Sequence, residues 1–318
     1  MQSRLPMIFI LLTVVLDSMG IGLIMPVMPD LIQSLEGGDL GQAALWGGVL
    51  ATIFAVMQFL FGPTIGSISD RFGRRPVLLI ALVVMSFDYV LMAVAGTIWL
   101  LVIGRIIGGI TAATQSTASA YMADISKPED KAANFGLIGA AFGIGFVIGP
   151  MLGGILAEYG TRAPFWAAAV LAGANGIFGY FALPETVTDR IRRPFDIKRA
   201  NPLGAFKSIT QLPDLGRFMI ISFVISLAFF VYPSVWAYFG KLQFGWGPGM
   251  IGLSLGAFGI GIAIVQGLLM RPILNKIGER NAVVLGLSVD VLAFIMLGFV
   301  TNGWIALALT PFTALGSL

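Results

Sequence analysis

The sequence predicts an all-α protein that crosses a membrane several times. Hydrophobic residues make up 57% of the 318 residues and charged residues only 11%, whereas a soluble domain carries about 25% charged residues. So few charges cannot cover a surface that faces water, and long apolar stretches recur between short polar loops. The 41 glycines are consistent with helices that pack closely inside a bilayer.

Ten apolar segments are candidates for helices that span the hydrocarbon core. The first begins after Arg4 as a signal peptide would, but it continues past Asp17 to Met28 without a cleavage site of small residues, so we interpret it as a retained helix. The segments lie at about residues 6–29, 44–65, 77–95, 98–121, 133–157, 164–183, 217–239, 249–271, 281–299 and 303–318.

The basic residues predict the orientation of these segments. Of the 19 lysines and arginines, 16 lie at the N-terminus or in loops that follow even-numbered segments. The exceptions are Arg105, inside the fourth segment, and Arg162 and Lys241 in the other loops. Because lysine and arginine are enriched in cytoplasmic loops, the N-terminus is predicted to be cytoplasmic. The pI near 9.3 is explained in the same way, and no nucleic-acid partner is expected.

A weak internal repeat indicates two related halves. The loop at residues 70–75 is echoed at 275–280, which places Gly73 and Gly278 205 residues apart. Duplicated helical units are typical of secondary transporters. We therefore predict a six-helix bundle at 1–183, a basic cytoplasmic linker at 184–216 and a second bundle at 217–318. Because residue 318 corresponds to residue 113 of the first half, we expect about 10 of 12 helices here and a natural gene that continues for roughly 70 residues.

Four charged residues fall inside apolar segments: Asp17, Asp88, Arg105 and Asp290. A charge at the centre of a bilayer costs several kcal/mol, so such residues usually have a function. At 1.5 Å per residue, Asp88 and Arg105 lie at similar depths, about 18 Å and 10 Å from opposite faces of a core about 30 Å thick. They can therefore form a pair, either for structural neutralisation or for coupling.

Asp17 and Asp290 have no partner in their own helices and are predicted to lie near the midplane of the bilayer. A carboxyl group that is buried without a partner binds a proton more readily than one in water, as a proton carrier must. Asp17, Asp88, Asp290 and Arg105 are therefore the candidate proton-coupling residues.

The residue types that are absent exclude several kinds of functional site. The chain contains no cysteine and no histidine, which removes disulfides, thiolate metal sites, cysteine nucleophiles and the commonest metal ligand. It also lacks a nucleotide-binding glycine loop with lysine. We predict neither an enzyme nor a bound cofactor or metal.

A basic motif occupies the loop between the second and third segments, and reads Gly66-Ser67-Ile68-Ser69-Asp70-Arg71-Phe72-Gly73-Arg74-Arg75. A turn this short needs glycine at positive φ, and Asp70 can either cap the next helix or pair with Arg74. An ordinary basic loop is the alternative, but the ordered acidic and basic residues favour a gate. The candidate gating residues here are Gly66, Asp70, Arg71, Gly73 and Arg74.

The fifth segment carries a second motif, with glycine at positions 136, 139, 143, 145, 149, 153 and 154. At about 100° per residue, Gly145, Gly149 and Gly153 share one face, and glycines 136, 139 and 143 lie on roughly the opposite one. Two such faces would let this helix approach neighbours closely on both sides, and Pro150 can kink it. Simple small-residue packing is the alternative. We predict a moving contact, with Gly145, Gly149, Pro150 and Gly153 as gating residues.

Polar residues inside the apolar segments are candidate substrate contacts. Gln58 and Gln266 occupy similar places in the second and eighth segments, and Asn175 and Tyr232 are further candidates. The alternative for each is a hydrogen bond between helices, or for Tyr232 a place in a lipid-facing aromatic belt.

Together these motifs resemble the drug/proton antiporters of the major facilitator superfamily. The loop motif and the pattern Gly-x8-Gly-x3-Gly-Pro-x2-Gly-Gly are similar to the signature pair of that group, and Arg105 followed by Gly108-Gly109 resembles its fourth-helix motif. Four further stretches are similar to the tetracycline/proton antiporters: Leu16 to Pro29, Asp88-Tyr89, Phe244-Gly245-Trp246 and Val284 to Asp290.

The resemblance implies roles for individual residues. Asp17, Asp88 and Asp290 fall on the family's membrane-embedded acidic positions. The remaining matches are Asp70 with its loop aspartate, Arg105 with its fourth-helix arginine, Asp124 with an acidic gating position after that helix, and Gln266 with an eighth-helix glutamine. The chain departs from the family at Ile262, where related proteins carry a histidine one turn before that glutamine.

The sequence therefore predicts a multi-pass helical bundle of the major facilitator type in a bacterial inner membrane. Its expected partners are the lipid bilayer, protons and a hydrophobic or amphipathic, tetracycline-like drug, free or as a metal chelate, which it exports in exchange for protons. The alternatives are an uncoupled or metabolite carrier of the same fold and a truncated membrane protein that transports nothing. Proton-dependent uptake into inverted vesicles distinguishes the first alternative, and the gene sequence after Leu318 distinguishes the second.

Overall fold

The computed structural model describes residues 5–112, 114–189, 192, 201–202 and 215–317, and most of them are helical. The first half comprises α1 (Leu5–Ile24), α2 (Met28–Glu36), α3 (Leu40–Phe72), α4 (Arg74–Val94), α5 (Ile98–Thr111), α6 (Thr114–Ile125), α7 (Lys131–Ala157) and α8 (Ala163–Ala182). The second half comprises α9 (Leu215–Phe244), α10 (Pro248–Ile264), α11 (Met270–Phe299) and α12 (Gly303–Thr313). Most of the linker predicted at 184–216 lies outside the described residues.

These helices confirm that the predicted apolar segments are helical. Among the described residues, eight helical stretches are long and apolar enough to cross a membrane. One of them, Pro248–Phe299, is 52 residues long, enough for two crossings. It is divided at Gly278, which has φ 77° and ψ 164°. The shorter apolar stretch Gly303–Gly316 corresponds to the tenth segment.

Two spanning segments are interrupted within the hydrophobic region. In the fourth, α5 ends at Thr111 because Ala112 (φ −66°, ψ 13°) departs from the helical conformation, and α6 is described from Thr114. The eighth changes from α10 to a π-helical stretch at Val265–Leu269 before α11 begins. Irregular helical backbone of this kind is frequent at functional sites.

Glycines at positive φ end helices at corresponding places in the two halves. Gly73 (φ 117°) follows α3, and Gly278 (φ 77°) divides the helix that corresponds to it. Gly37 (φ 64°) and Gly245 (φ 65°) follow α2 and α9. The backbone therefore supports the internal repeat. We call the end of the bundle with the Gly73 and Gly278 turns the basic end, and the end with Gly37 and Gly245 the opposite end.

The helices pack around α1 and α7. In the first half, α1 lies against α7 and α8, and α4 packs on α5 and α8. In the second half, α10 packs on α7 and so joins the halves. Apolar clusters fill the interior, around Phe9 and Tyr121 in one part, Leu101 and Phe165 in another, and Trp236 in the second half. Large apolar side chains such as Phe181 and Phe299 are exposed on the outside, as lipid contact requires.

Candidate functional site

A buried ion pair joins α4 to α5. The Arg105 guanidinium Nη2 lies 3.7 Å from Asp88 Oδ2, and both side chains are nearly inaccessible, at 12% and 3% exposure. The pairing expected from their depths is therefore confirmed. The pair is incompletely satisfied, because Asp88 Oδ1 and Arg105 Nε have no hydrogen-bond partner within the described part of the chain.

Further contacts of the arginine hold it in place. Arg105 Nη2 donates to Met92 Sδ at 2.6 Å, and the guanidinium carbon lies 5.3 Å from the centre of the Phe54 ring. A cation above an aromatic ring is stabilised by the ring's quadrupole, and more so when both are removed from water. Arg105 therefore connects α5 to α3 as well as to α4.

Two glycines of α5 make room for the carboxylate. A side chain at Gly104 would place its first carbon 2.7 Å from Asp88 Oδ1, and one at Gly108 would place it 2.7 Å from Asp88 Oδ2. A side chain at Gly109 would place its first carbon 2.6 Å from the Phe54 carbonyl oxygen on α3. These three glycines of α5 thus let three helices close around the ion pair.

Asp17 lies on α1, near this pair but outside it. Among the described residues it has no ion-pair partner. Tyr89, which follows Asp88 on α4, is buried, and its hydroxyl group lies against Gly20 of α1, three residues after Asp17.

Asp290 belongs to the second half and is half-buried on α11. Its carboxyl group is in close contact with Gly316, in the 3-10 turn Ala314–Ser317 that follows α12. Among the described residues, it too has no ion-pair partner.

The glycine face of α7 fits directly onto α1. Gly145 is in close contact with Ser18 and with the Val15 carbonyl. A side chain at Gly149 would place its first carbon 2.5 Å from the Met19 carbonyl oxygen and 3.0 Å from Gly22. One at Gly153 would come within 2.9 Å of the Leu23 Cα. The backbone on either side of Asp17 and beyond therefore rests on this face.

The other glycine face of α7 does not make the contact that the sequence predicted. Residues 136, 139 and 143 are exposed, and no atom of the described residues lies within 4 Å of where their side chains would begin. The second close contact of α7 is instead made by glycines of α10. These are Gly252, Gly256 and Gly259. A side chain at any of them would place its first carbon within 3.2 Å of an atom of α7. Their spacing along α10 was the available signal, and the sequence analysis did not use it.

The loop motif forms a charged network at the basic end. Arg74 Nη1 lies 2.6 Å from Asp70 Oδ1, and Arg74 Nε lies 3.3 Å from Asp124 Oδ2. Arg74 also donates to Ser69 Oγ at 3.1 Å. Of the two roles considered for Asp70, the structure therefore has the pair with Arg74. This network joins α3, α4 and α6, all within the first half.

Two residues of the motif lie outside the network. Gly66 is inside α3, where nothing lies within 4 Å of its missing side chain, so it does not form the turn. Arg71 is exposed, with its guanidinium carbon 5.4 Å from the centre of the Phe72 ring. The turn is formed by Gly73 alone, since only this glycine of the motif has positive φ.

Glu185, which the sequence analysis did not select, caps α4. Its carboxylate oxygens accept hydrogen bonds from the backbone N–H groups of Arg74 at 2.9 Å and Arg75 at 3.2 Å. An acidic group at a helix N-terminus satisfies free donors and complements the helix dipole. A side chain at Gly73 would collide with this carboxylate. Glu185 therefore ties the end of the sixth span to the start of the third.

Two basic residues lie at the opposite end, and both are bound. Lys241 of α9 contacts the Asp30 carboxylate and donates to Gln33 Oε1 at 2.6 Å, so it links the second half to α2. Arg162 donates to the Ala93 and Ala95 carbonyls at 2.8 and 2.6 Å. Tyr238 of α9 is also pressed against Gly47 of α3. At this end the two halves are joined.

The two glutamines lie beside the helix interruptions. Gln58 Nε2 donates to the Ala112 carbonyl at 3.3 Å, where the fourth span is divided. Gln266 lies within the π-helical stretch Val265–Leu269. Both side chains are exposed, so they are accessible to a ligand.

Asn175 and Tyr232 are placed differently from the glutamines. Asn175 is buried between α8 and α1, where its amide donates to Thr13 Oγ1 at 3.0 Å. Tyr232 is buried against Trp236, with ring centres 4.7 Å apart, and against Phe258. Asn175 therefore makes the hydrogen bond between helices that was the alternative to substrate contact. Tyr232 and Trp236 line a largely apolar cavity of about 450 Å³ between α9, α11 and the start of α3, so substrate contact by Tyr232 stays a prediction.

No group of three or more acidic residues that could hold a metal ion occurs in the described part of the chain. The arrangement consists instead of buried carboxyl groups on spanning helices, charged networks at both ends and helices in glycine-mediated contact.

Comparisons with known proteins place this arrangement in a family. Residues 10–318 match the family model of the Major Facilitator Superfamily. The class C tetracycline resistance protein of Escherichia coli is 42% identical over 318 residues, which cover 100% of this chain and 80% of that protein. The class G protein of Vibrio anguillarum is 37% identical over 313 residues, covering 98% and 78%.

Solved structures agree on the fold. The human organic anion transporter MFSD10 superposes with a TM-score of 0.70 at 24% identity, covering 100% of this chain and 85% of that one. The nucleoside transporter NupG gives a TM-score of 0.77 at 12% identity, covering 99% and 79%. The chain therefore belongs to the major facilitator superfamily, in the branch that contains the tetracycline resistance proteins.

Proposed function

We propose that this protein exports a hydrophobic or amphipathic, tetracycline-like drug from bacteria in exchange for protons. The observation that carries this proposal is the Asp17 carboxyl group, which lies inside a spanning helix and has no ion-pair partner among the residues that the structure describes. An ionisable group in that position is costly and is typical of proton or ion pathways. The relatives named above are resistance proteins, which supports a drug as the substrate.

The proposed location is the bacterial inner membrane, with the basic end and the N-terminus in the cytoplasm. The basic residues of the Gly73 and Gly278 turns support this orientation. Lys241 and Arg162 at the other end are both bound to acceptors, so neither is a free positive charge facing outward.

The proposed mechanism alternates access between two halves, residues 1–183 and 217–318. The ion pair between Lys241 and Asp30 holds the outer ends together. Toward the basic end, the exposed glycines of α7 and the exposed Gln58 and Gln266 are open to a ligand from the cytoplasm. Outside protons would neutralise Asp17 and Asp290 as the drug leaves, and their release inward would reset the halves.

Two features support a rigid-body movement of the first half. Arg74 links Asp70 and Asp124 across three of its helices, and Glu185 fixes the end of the sixth span to α4. The contacts of α7 with α10 cross between the halves at glycines of α10, whose missing side chains let the two helices approach closely.

The proposed drug site lies between Gln58 and Gln266, at the two helix interruptions. Side-chain amides offer both donors and acceptors, which suits the oxygen-rich edge of a tetracycline-like molecule, free or as a metal chelate. Ile262 lies one turn before Gln266 and packs against the apolar cluster around Trp236. It supplies no ligand at that place, so we expect weaker dependence on a chelated metal than a histidine would give.

The test is drug-driven proton movement in inverted vesicles that contain the protein. Adding a tetracycline should release protons from wild-type vesicles, and a protonophore should abolish uptake of the drug. Asp17→Asn should lose both responses, whereas Asp189→Asn, whose side chain is 99% exposed, should keep them. Drug uptake that persists with the protonophore would instead indicate an uncoupled carrier.

A further inference from the structure

The Asp88 carboxylate holds the Arg105 guanidinium only loosely. Arg105 Nη2 lies 3.7 Å from Asp88 Oδ2, whereas a charge-assisted hydrogen bond between such groups is about 2.7–2.9 Å long. Asp88 Oδ1 and Arg105 Nε have no hydrogen-bond partner in the described part of the chain. The bidentate arrangement that makes an arginine–carboxylate pair strong is therefore not formed, and other contacts must help to hold the guanidinium.

The ring of Phe54 on α3 makes such a contact. The guanidinium carbon of Arg105 lies 5.3 Å from the centre of this ring, within the roughly 6 Å over which an aromatic face attracts a cation. Phe54 is half-buried and the Arg105 side chain is 12% exposed. Water therefore screens the contact only weakly.

The same helix that carries Arg105 also fixes the position of Phe54. A side chain at Gly109 of α5 would place its first carbon 2.6 Å from the Phe54 carbonyl oxygen, and one at Gly108 would place it 3.5 Å from the Phe54 ring carbon Cε2. Gly108 also lies against Asp88 Oδ2. The ring and the carboxylate thus both border Gly108, one turn after Arg105.

The two contacts of the guanidinium respond differently to a proton. The attraction to Asp88 depends on the negative charge of the carboxylate, so it disappears when Asp88 is protonated. The attraction to Phe54 depends on the quadrupole of the ring, which no proton changes. A guanidinium that lost both contacts would be an isolated charge inside the bundle, which is strongly unfavourable.

We propose that the Phe54 ring is a second binding place for the Arg105 guanidinium, which holds the cation while its pair with Asp88 is open and is required for proton-coupled transport. This inference rests on the proposed antiport. In the cycle, a proton from outside neutralises Asp88, and Arg105 stays on the ring of α3. When that proton leaves to the cytoplasm, the carboxylate attracts the guanidinium again. Phe54 acts through Arg105 and is therefore a positioning residue.

The test replaces Phe54 by mono-, di- and trifluorinated phenylalanine. Fluorine withdraws negative charge from the face of the ring, so the attraction to a cation weakens while the shape of the side chain changes little. Proton-driven uptake of tetracycline into inverted vesicles should fall in order along the series, by about tenfold for the trifluorinated ring.

The same series at Phe61 is the matched control. Phe61 lies about two turns further along α3, and no cation lies over its ring among the described residues. Uptake by the Phe61 series should stay at the wild-type level.

A second measurement uses stability in place of transport. Asp88→Asn removes the negative charge as protonation does, so the Phe54 ring then carries more of the work of holding Arg105. Trifluorination of Phe54 should therefore lower the melting temperature in detergent more in Asp88→Asn than in the protein that keeps Asp88.

The outcomes separate the two proposals. Wild-type vesicles that show no proton-driven uptake would overturn the proposed function, and with it the role of Phe54 in transport. If wild type is coupled and uptake is equal across the Phe54 series, the inference is wrong even if the melting temperature falls, because the contact would then only stabilise the fold. Equal losses in the Phe54 and Phe61 series would also overturn it, because the effect would not depend on a cation.

Discussion

Replacing Asp88 by asparagine would leave the Arg105 guanidinium as an unpaired charge between α4 and α5. Replacing Arg105 by glutamine would leave the Asp88 carboxylate in the same position, against Gly104 and Gly108. Removing one partner of a buried pair typically costs about 3–5 kcal/mol, whereas removing both is often nearly neutral. We therefore expect the double variant to be no less stable than Arg105→Gln alone.

The distance between the Asp88 carboxylate and the Arg105 guanidinium sets the size of their coupling energy. For 3.7 Å between Arg105 Nη2 and Asp88 Oδ2 and an effective dielectric constant of about 20, the attraction is about 4 kcal/mol. A double-mutant cycle should return a coupling energy of this order. Arg105→Gln should cost more than Asp88→Asn, because it also removes the contacts of the guanidinium with Met92 and Phe54.

The assay is reversible unfolding in mixed micelles with increasing SDS, followed by tryptophan fluorescence. The pair of Asp189 and Arg192 is a control at equal distance, since its N–O separation is also 3.7 Å but its side chains are 99% and 51% exposed. The same cycle there should show no measurable coupling. Additive losses at Asp88 and Arg105 would refute the reasoning, because they would mean that the two groups do not interact in the membrane protein.

Three other perturbations test the proposed transport cycle. Asp17→Asn or Asp290→Asn should abolish drug-driven proton release while folded protein remains in the membrane, and normal release would argue against proton carriage by that residue. Gly149→Leu should lower transport with little change in membrane abundance, because overpacking against the Met19 carbonyl costs about 1–3 kcal/mol. Transport at the full rate would show that the glycines of α7 serve only to pack the helices together. Lys241→Asp should impair export by repelling Asp30, and the exchange Asp30→Lys with Lys241→Asp should restore it, as measured by resistance. If the exchange does not restore export, the ion pair has no role in the cycle.

The sequence was sufficient to predict the spanning segments because bilayer thickness imposes a minimum apolar length. Residues 133–157 were predicted for the fifth helix, and α7 is Lys131–Ala157. The interruption after Thr111 and the π-helical stretch around Gln266 were not predicted, because each lies within a stretch that is long and apolar enough to be interpreted as continuous spanning helix. Such irregularities depend on neighbouring helices, as the hydrogen bond from Gln58 to Ala112 illustrates.

Contacts in the candidate site could be predicted where the depth of two residues in the membrane is enough to show that they lie close together. Asp88 and Arg105 could be matched because the rise per residue of a helix is fixed. Glu185 could not be matched to Arg74, because 111 residues separate them and no sequence rule gives that distance. The available signal was an acidic residue immediately after the sixth segment, together with a basic start to α4 that lacks an acidic residue of its own. The contact of Asn175 could not be predicted either, because a polar residue in an apolar helix can face a ligand or another helix.

The positions of Arg162 and Lys241 have a consequence for how the chain is assembled in the membrane. Both side chains must be translocated outward in the proposed orientation, against the usual retention of positive charge in the cytoplasm. Their acceptors are the last carbonyls of α4 and the carboxylate that follows α1, which belong to spans made earlier in synthesis. Each cation can therefore find its hydrogen-bond acceptors as soon as its own span inserts. Biogenesis of the later spans then depends on prior folding of the earlier ones, so Asp30→Asn should produce a fraction of chains with inverted C-terminal topology.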